Sequence, residues 1–553
     1  MRTRIAGVFA AACLAVPATA AAQHPGSLDP AFGTGGRAGT PIANGGYSGS
    51  VARTPDGHYF AGGAVKDQEW RYAFGIARFD ANGAPDQAFG DHGTVLLQLG
   101  ESSFTRSDAV SVIAQPDGGV IAVGSATRLR DGAPESAVAA VRLDRTGRTL
   151  WQAFHQVARP KANGAFATGA AAQPDGKIVV VLQASVETLN YNVGLLRINP
   201  EDGSLDRAFG GTGYVHEQRD HTDGRDAEVG DMVLTRSGTI VVAGAVGRPC
   251  GHNRCYEPLL QAWTPDGRQV PGFGAGDVGL DLIDEVAEAP DGSIYAYGAT
   301  PQGRGNPYGT RVGIVRYTPG GQLDAAFGLK VFAPPPGFED SGVGGLTFQP
   351  DGRLLVGLLG IRGRLVRLLP DGTRDESFGY GGVGSAGVRL LGDADPLLQD
   401  DGRIVTVGTP EQDPPPCTPD GCGYLDPINE FALGRVLGGT ALGQLSLEGS
   451  APVRRRVARL RLTCTARGAS DCAGELKLQA RRRRSGHRAT FGHAGFRIPA
   501  GESAKVRVSL DRGALRRLRR ASRRRMVVRV RILDAAGAAR VDRLQLIARG
   551  SLR

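Results

Sequence analysis

The apolar and polar positions of this chain fall into short runs that return at a near-constant interval. The clearest set is Gln173-Pro174-Asp175-Gly176-Lys177-Ile178-Val179-Val180-Val181, then Gly194-Leu195-Leu196-Arg197-Ile198-Asn199, then Gly203-Ser204-Leu205-Asp206-Arg207-Ala208-Phe209-Gly210. Residues 167–173 are small and apolar and end in a Pro-Asp-Gly turn, where Pro presets φ and Gly supplies φ > 0. Residues 177–183 are continuous and β-branched, as a strand covered on both faces should be. Residues 192–199 predict a third strand, closed by a turn at Glu201-Asp202-Gly203. Residues 204–215, containing Phe209, predict a fourth. Four strands joined by tight turns make a propeller blade.

The first turn recurs at Pro55-Asp56-Gly57, Pro116-Asp117-Gly118, Pro174-Asp175-Gly176, Arg236-Ser237-Gly238, Pro290-Asp291-Gly292, Pro350-Asp351-Gly352 and Asp400-Asp401-Gly402. Its glycines stand 61, 58, 62, 54, 60 and 50 residues apart. A period of this size marks a repeat architecture whose units bury their faces against neighbours. Seven turns predict seven blades. A Phe-Gly mark recurs from Phe32-Gly33 to Phe378-Gly379, and the second unit departs from it with Phe154-His155.

The seventh unit has three strands, near 392–399, 403–409 and 429–437, and lacks the Leu-Asp-x-x-Phe-Gly segment. That segment stands instead near the N-terminus, as Ser27-Leu28-Asp29-Pro30-Ala31-Phe32-Gly33. Residues 27–38 are therefore expected to pair as the outer strand of the last blade, closing the ring and removing its exposed edges.

These segments resemble the delta-60 repeat family, whose consensus carries the same Gln-Pro-Asp-Gly, Ala-Arg-Leu-Asn-x-Asp-Gly and Leu-Asp-x-x-Phe-Gly blocks. The resemblance covers residues 27–438 and is weakest in units two and four. It implies a secreted bacterial propeller, and it supplies no functional residues, since the family has no agreed activity.

Past Gly438-Gly439 the pattern changes. Ala458, Leu460, Leu462 and Cys464 alternate with Arg459, Arg461 and Thr463, which predicts strands with one wet face. Similar runs lie near 474–478, 503–509 and 526–533, with a short helix after Asp511. Residues 441–553 are expected to form a small Ig-like β-sandwich of about seven strands, similar to C-terminal modules of many exported actinobacterial proteins. The fold class expected is all-β: a seven-bladed propeller at 27–438 closed by its N-terminal strand, plus this sandwich.

Residues 1–22 read as a secretory signal peptide: Arg2 and Arg4, an apolar run at 5–16, and Ala20-Ala21-Ala22 before Gln23. The run is too short for a permanent membrane anchor. Cys13 leaves a lipoprotein alternative, against which the small Ala10-Ala11-Ala12 stands. The chain is expected to be secreted, with association at the envelope as the further option and no transmembrane segment.

The six other cysteines fall into local pairs, Cys250 with Cys255, Cys417 with Cys422 and Cys464 with Cys472. In an exported chain they predict disulfides. The metal alternative at Cys250, His252 and Cys255 lacks a second pair.

Charge is divided unevenly. From Thr440 on there are 27 Arg and 2 Lys against 7 acids, a net of +22, which leaves −12 for the rest of a chain whose total is +10. Arg supplies 59 of the 65 basic residues over the whole length, a bias that codon usage in a GC-rich genome would produce. It does not account for acids being scarce only in the tail. The runs Arg454, Arg455, Arg456 and Arg481, Arg482, Arg483, Arg484, with 516–525, are candidate contacts for a polyanion. Interleaved aromatics, which base stacking needs, are missing apart from Phe491 and Phe496.

Other candidates weigh toward structure. His216-Glu217-Gln218-Arg219-Asp220-His221 misses the zinc-binding spacing by one residue. Gly274-Ala275-Gly276-Asp277-Val278-Gly279 has no helix after it, so it makes no phosphate cradle. The Asp of each Pro-Asp-Gly caps its own turn. Asp284-Glu285 and 393–395 lie near inner-strand starts, where acids can reach a central channel. Longer connections at 248–256, 300–310 and 410–427 share one face of the ring. No catalytic residue, cofactor or metal is expected. The leading expectation is a non-enzymatic binding protein whose propeller engages a glycan or protein and whose basic module meets an anionic envelope. The alternatives are a polysaccharide lyase or hydrolase at the channel mouth, and a purely structural repeat protein.

Overall fold

A computed structural model of the chain describes residues 25–42, 45–66, 72–99, 107–130, 133–157, 164–185, 191–217, 226–250, 253–300, 312–332, 343–360, 362–391, 394–411, 417–418, 421–422, 430–438, 445–464, 472–481, 488–499, 502–521, 524–534 and 539–548. Seven antiparallel sheets follow one another as propeller blades. Blade three is Ala165–Ala172, Ile178–Ala184, Asn192–Ile198 and Tyr214–His216, paired in that order from the inner strand outward. Blades one, two, five and six also have four strands, and blade four has three among the described residues. The glycines of the seven first turns all have φ between 81° and 94°.

Blade seven closes the ring. Its own strands, Leu397–Leu398, Arg403–Gly408 and Glu430–Leu437, are joined by Arg37–Pro41, which pairs antiparallel with Glu430–Leu437. Closure from the N-terminus is as expected, but the ladder lies at 37–41. Residues 27–36 carry an isolated bridge, Leu28 to Val436, and then a turn. The same holds inside the blades: Phe209 sits in a turn, and the outer strand of blade three begins only at Tyr214. The cause is Asp206. Its Oδ1 accepts the Ala208 N–H at 3.2 Å and its carbonyl accepts the Phe209 N–H at 2.9 Å, which holds an Asx-type turn where an extended chain was expected.

The core is divided between neighbouring blades. Phe60, Phe74 and Ile76 of blade one pack with Val120, Ala122, Val141 and Leu143 of blade two. Tyr59, Phe79 and Phe32 pack with Val405, Val407 and Phe431 across the closure. Each apolar sheet face is thus covered by the next blade, the arrangement in which repeat units stabilise one another.

The C-terminal strands form one eight-stranded sheet. Val457–Cys464 pairs with Ser503–Ser509 on one edge and with Leu445–Leu447 and the end of Ser450–Arg454 on the other. From Ser450–Arg454 the sheet continues through Ala539–Ala548, Arg525–Asp534, Cys472–Arg481 and Arg488–Ile498. It curls until its ends approach, where the Asp511 N–H donates to the Phe491 carbonyl at 2.8 Å. One core fills it, including Leu460, Leu462, Leu476, Val508, Val530 and Leu546. The expected helix spans Arg512–Arg520, with Asp511 as its N-cap and Ala514, Leu515 and Leu518 buried. No helix among the described residues is long and apolar enough to cross a membrane.

Candidate functional site

The repeated motif is a structural device. In blade three, buried Arg197 donates through Nε to Asp206 Oδ2 at 2.7 Å and through Nη1 to the Pro265 carbonyl of blade four at 2.8 Å. The Gln173 side chain accepts from Arg197 at 3.1 Å and donates to that same carbonyl at 3.0 Å. The Phe209 ring lies 4.9 Å beneath the guanidinium. The Gly210 N–H reaches the Asp266 carbonyl of blade four at 3.3 Å. Gln-Pro-Asp-Gly, the third-strand Arg and Leu-Asp-x-x-Phe-Gly are therefore parts of one staple between successive blades. Arg367 with Asp375 and Phe378 repeats it in blade six, with Gly438 as the acceptor. Arg435 with Asp29 and Phe32 repeats it in blade seven, with Ala81 of blade one as the acceptor. In blade one, Arg78 pairs Asp86 at 3.1 Å and donates to the Arg145 carbonyl at 2.6 Å.

The weaker units substitute other parts. In blade two the packing role passes to Trp151 rather than Phe154. Trp151 Nε1 donates to the Pro200 carbonyl at 3.0 Å, and a Cβ at Gly203 would fall 2.7 Å from its ring. Arg142 there pairs Asp117 at 2.7 Å. In blade four Ala262 stands where the other blades carry Arg, beside buried Trp263.

The inner strands carry a second device. Seven residues before the turn glycines stand Ser50, Ser111, Gly169, Asp231, Glu285, Gly345 and Asp395. Five of these side chains accept a backbone N–H from a neighbouring blade. Ser50 takes Val112 (3.0 Å), Ser111 takes Ala170 (2.9 Å), Asp231 takes Val286 (2.9 Å), Glu285 takes Gly345 (3.3 Å) and Asp395 takes Leu346 (2.7 Å). Glu285 is fully buried. The expected channel-mouth acids Glu285 and Asp395 thus bond blade to blade; Asp284 is exposed, and Asp393 lies outside the described residues.

What the repeat leaves over lies at the ring's seam. A cavity of about 950 Å³ is lined by Arg37, Gly39, Asn82, Arg362, Glu411 and Glu430, with small residues between them. The size is that of ordinary ligand pockets. Its two carboxylates differ. Glu411 is clamped by Arg37 at 2.8 Å and Arg364 at 3.5 Å, while Arg37 Nε also donates to the Gly387 carbonyl at 2.9 Å. Glu430, half-buried, has neither hydrogen bond nor ion pair among the described residues, and burial pushes its carboxyl above the usual range. It occupies space that Gly39 leaves open: a Cβ there would fall 1.6 Å from Glu430 Oε1. Sequence reading missed this cavity because its walls come from both ends of the propeller, which only closure brings together.

The Arg454, Arg455 and Arg456 side chains are exposed around a two-residue hairpin turn, with Arg455 at φ 54°. The Arg481 side chain and residues 482–484 lie outside what is described. Phe491 is 3% exposed and Phe496 packs against the same core, so neither offers a stacking platform.

Cys250–Cys255 is a disulfide, and it sits at the tip of a long hairpin, Ile240–Cys250 with Asn253–Trp263, where a loop was expected. Cys417 faces Cys422 in a two-residue ladder, with side chains outside the described set. Cys464 is disulfide-bonded. Residues 301–311 and most of 410–427 are likewise outside it. His216 ends a strand and stacks on Tyr214, with Nδ1 2.8 Å from the Glu217 carbonyl oxygen. The turn Asp residues cap backbone amides, as Asp117 does for Gly119 at 2.9 Å. Among the described residues no three His, Cys, Asp or Glu are placed to hold a metal ion.

The family model described as "Domain of unknown function (DUF5122) beta-propeller" matches residues 54–89, 173–209 and 349–378, each running from a first turn to a Phe-Gly mark. No curated protein matches the chain. Similar solved structures include a protein of unknown function from Bacteroides caccae (14% identity, 51% of this chain and 82% of that one, TM-score 0.28). YCF48 from Cyanidioschyzon merolae is another (11%, 72% and 98%, 0.36). A third is the α-L-arabinofuranosidase Arb93A from Fusarium graminearum (11%, 59% and 92%, 0.36). At these identities and scores the likeness says nothing of function. With seven sheets closed by the N-terminal strand and a family model of propeller type recurring along it, the chain is a β-propeller repeat protein carrying a small all-β C-terminal module.

Proposed function

We propose that this is an exported, non-enzymatic binding protein, with residues 1–22 as its signal peptide, delta-60 repeats as its blades and an Ig-like basic module at its C-terminus. Cys417–Cys422 and Cys464–Cys472 complete its disulfides. The propeller engages a glycan or protein, and the module meets an anionic envelope. The observation that carries the reading is Glu430: a half-buried carboxylate without a partner among the described residues, in a ligand-sized cavity of a ring whose repeated motif residues hold blades together. A ligand hydroxyl or amine would supply the missing bond. The test is retention of the full chain from Gln23 on washed cell envelopes, compared with Glu430→Ala and Glu430→Gln. Loss in the alanine variant supports the reading; equal retention of all three removes the cavity from it.

One observation favours hydrolysis as the second reading. Glu411, paired with Arg37 and Arg364, shares the cavity with Glu430, whose carboxyl burial raises, and glycoside hydrolysis uses two carboxyl groups in acid and base roles. That reading places the site at the seam rather than at the channel mouth. It requires sugar release that Glu430→Gln abolishes while binding persists.

A further inference from the structure

On the solvent face of the C-terminal module two strands place like charges side by side. Arg459 lies directly opposite Arg507, and Arg461 directly opposite Lys505. All four are exposed, while Ala458, Leu460, Leu462, Val506 and Val508, which alternate with them, are buried in the core. The cations therefore stand on rigid strands. Glu448 approaches Arg461 at 3.8 Å, with both side chains more than half exposed, and among the described residues nothing is within ion-pair distance of Arg459, Lys505 or Arg507. Like charges directly opposite on a sheet destabilise it. Compositional drift toward arginine scatters cations over a surface. It does not by itself align two successive cation pairs in register with so little acid nearby. The row is extended by the exposed turn at Arg454–Arg456, at the end where Val457 pairs Ser509.

We propose that this face, between Val457–Cys464 and Ser503–Ser509, seats a linear phosphodiester polymer of the cell envelope. The inference rests on the reading that the module meets an anionic envelope, and it names the surface and the chemistry. Cation pairs repeat every two residues along the strands, about 6.7 Å, so the partner must be charged at every short repeat unit. A polyol phosphate has that character, since each phosphate lies in the chain itself. Each pair offers two cationic donors about 5 Å apart at their bases, one for each free oxygen of a phosphodiester. Nucleic acid shares the phosphates, but single-strand binders add aromatic platforms, and Phe491 and Phe496 are turned into the core.

The experiment uses the full chain from Gln23 and immobilised poly(glycerol phosphate) over a salt series. With four contacts the affinity should fall with salt at a log–log slope of about −3, and R459Q/R507Q should lessen that slope by about 1.4. The same variant should lose at least tenfold in affinity at low salt, while R516Q/R519Q on the helix, which removes equal charge, loses less than threefold. Equal loss in both variants would mean that binding follows net charge alone, and would overturn the proposal. Absence of binding at low salt would do the same. Tighter binding to single-stranded DNA or to polyglutamate than to poly(glycerol phosphate) would overturn the assigned chemistry. Washed envelopes separate this inference from the reading beneath it. Wild type and R459Q/R507Q retained alike sink the assigned face and leave the envelope reading standing. Wild type not retained sinks the envelope reading.

Discussion

Arg367 lies fully buried against Asp375, its Nε 2.9 Å from Oδ2, with the Phe378 ring 4.5 Å below the guanidinium. Burial pulls the arginine down to about 10, helped by Arg353. For Asp375 burial acts upward, but Arg367 and the Ser377 hydroxyl outweigh it and hold the carboxyl low. The carboxylate gains from the pair, and the guanidinium bears the desolvation. Removing the carboxylate leaves the guanidinium charged and buried, which typically costs about 3–5 kcal/mol, whereas removing Arg367 would leave Asp375 paired with Arg353 at 3.3 Å. Asp375→Ala should lower the unfolding free energy by that amount, read in urea as a lower midpoint at unchanged slope. Arg142→Met should cost far less, about 1 kcal/mol, because Asp117 opposite it is half exposed. Equal losses would mean that the buried staple adds nothing beyond a surface pair.

The two kinds of carboxylate predict opposite pH responses. Asp375 titrates lower in the folded chain than its unfolded value near 3.9. Its contribution is therefore present above about pH 4 and is lost as pH falls through the folded value. Glu430 titrates higher when folded, so the stability linked to its proton is present below its unfolded value and is lost as pH rises. Glu430→Gln should match wild type near pH 4 and be the more stable protein at pH 8. Thermal melts at both values decide this; a variant less stable at pH 8 would show that the ionised carboxylate has a partner.

The ring was legible where chemistry repeats in sequence. Turn glycines counted seven blades, and the segment missing from unit seven was found at the N-terminus. Strand limits were less legible. Leu-Asp-x-x-Phe-Gly has the apolar content of a strand, yet its Asp bonds the backbone two residues on and turns the chain, so Leu28 bridges Val436 and the ladder waits until Arg37. Trp151 took over a phenylalanine's role at a different offset, which a search for Phe-Gly cannot detect. Ser50, Ser111, Asp231, Glu285 and Asp395 were findable by counting back from the turn glycines, but serine and acid look unrelated until each is seen to accept a backbone amide of a neighbouring blade. The seam cavity needs residues such as Arg37 and Glu411 that meet only in three dimensions. Arg459 and Arg461 were visible by alternation, whereas their opposition to Arg507 and Lys505 required the register.

Gly267 sits in the blade-four turn at φ 89°, directly over the Phe209 ring, and a Cβ there would fall 2.9 Å from it. Gly267→Ala adds both a clash and a left-handed alanine, for about 1–3 kcal/mol. Phe209→Ala opens a cavity at the same contact and should cost about 3–5 kcal/mol. Because both changes act on one contact, the double variant should cost less than their sum. Strict additivity in urea melts would show that the turn and the ring do not interact.

Arg455 is an arginine at φ 54° in a two-residue hairpin turn, a conformation that favours glycine or asparagine. Arg455→Gly should stabilise the C-terminal module by about 1 kcal/mol, read as a higher midpoint of its unfolding step. A lower midpoint would mean that the side chain makes a contact worth more than the strain.

Asp29 ties the closing segment to blade seven. Its Oδ2 is 2.9 Å from Arg435 Nε and 2.8 Å from Arg403 Nε, and its Oδ1 accepts the Ala31 N–H at 3.0 Å. It therefore joins the N-terminal segment to two strands of blade seven. Asp29→Ala leaves the Arg435 guanidinium buried without its carboxylate and should cost about 3–5 kcal/mol. It should also free the segment at 25–41 from Glu430–Leu437, exposing an unpaired strand edge of the kind that drives association. Two readouts are expected together: faster amide exchange at Phe431–Arg435 and concentration-dependent aggregation below the unfolding temperature. Asp29→Asn keeps the turn bonds and loses the charge, so it should loosen the edge less. If Asp29→Ala destabilises the whole chain with no excess exchange at that edge, the N-terminal strand is held by its ladder alone, and the carboxylate has no special part in closing the ring.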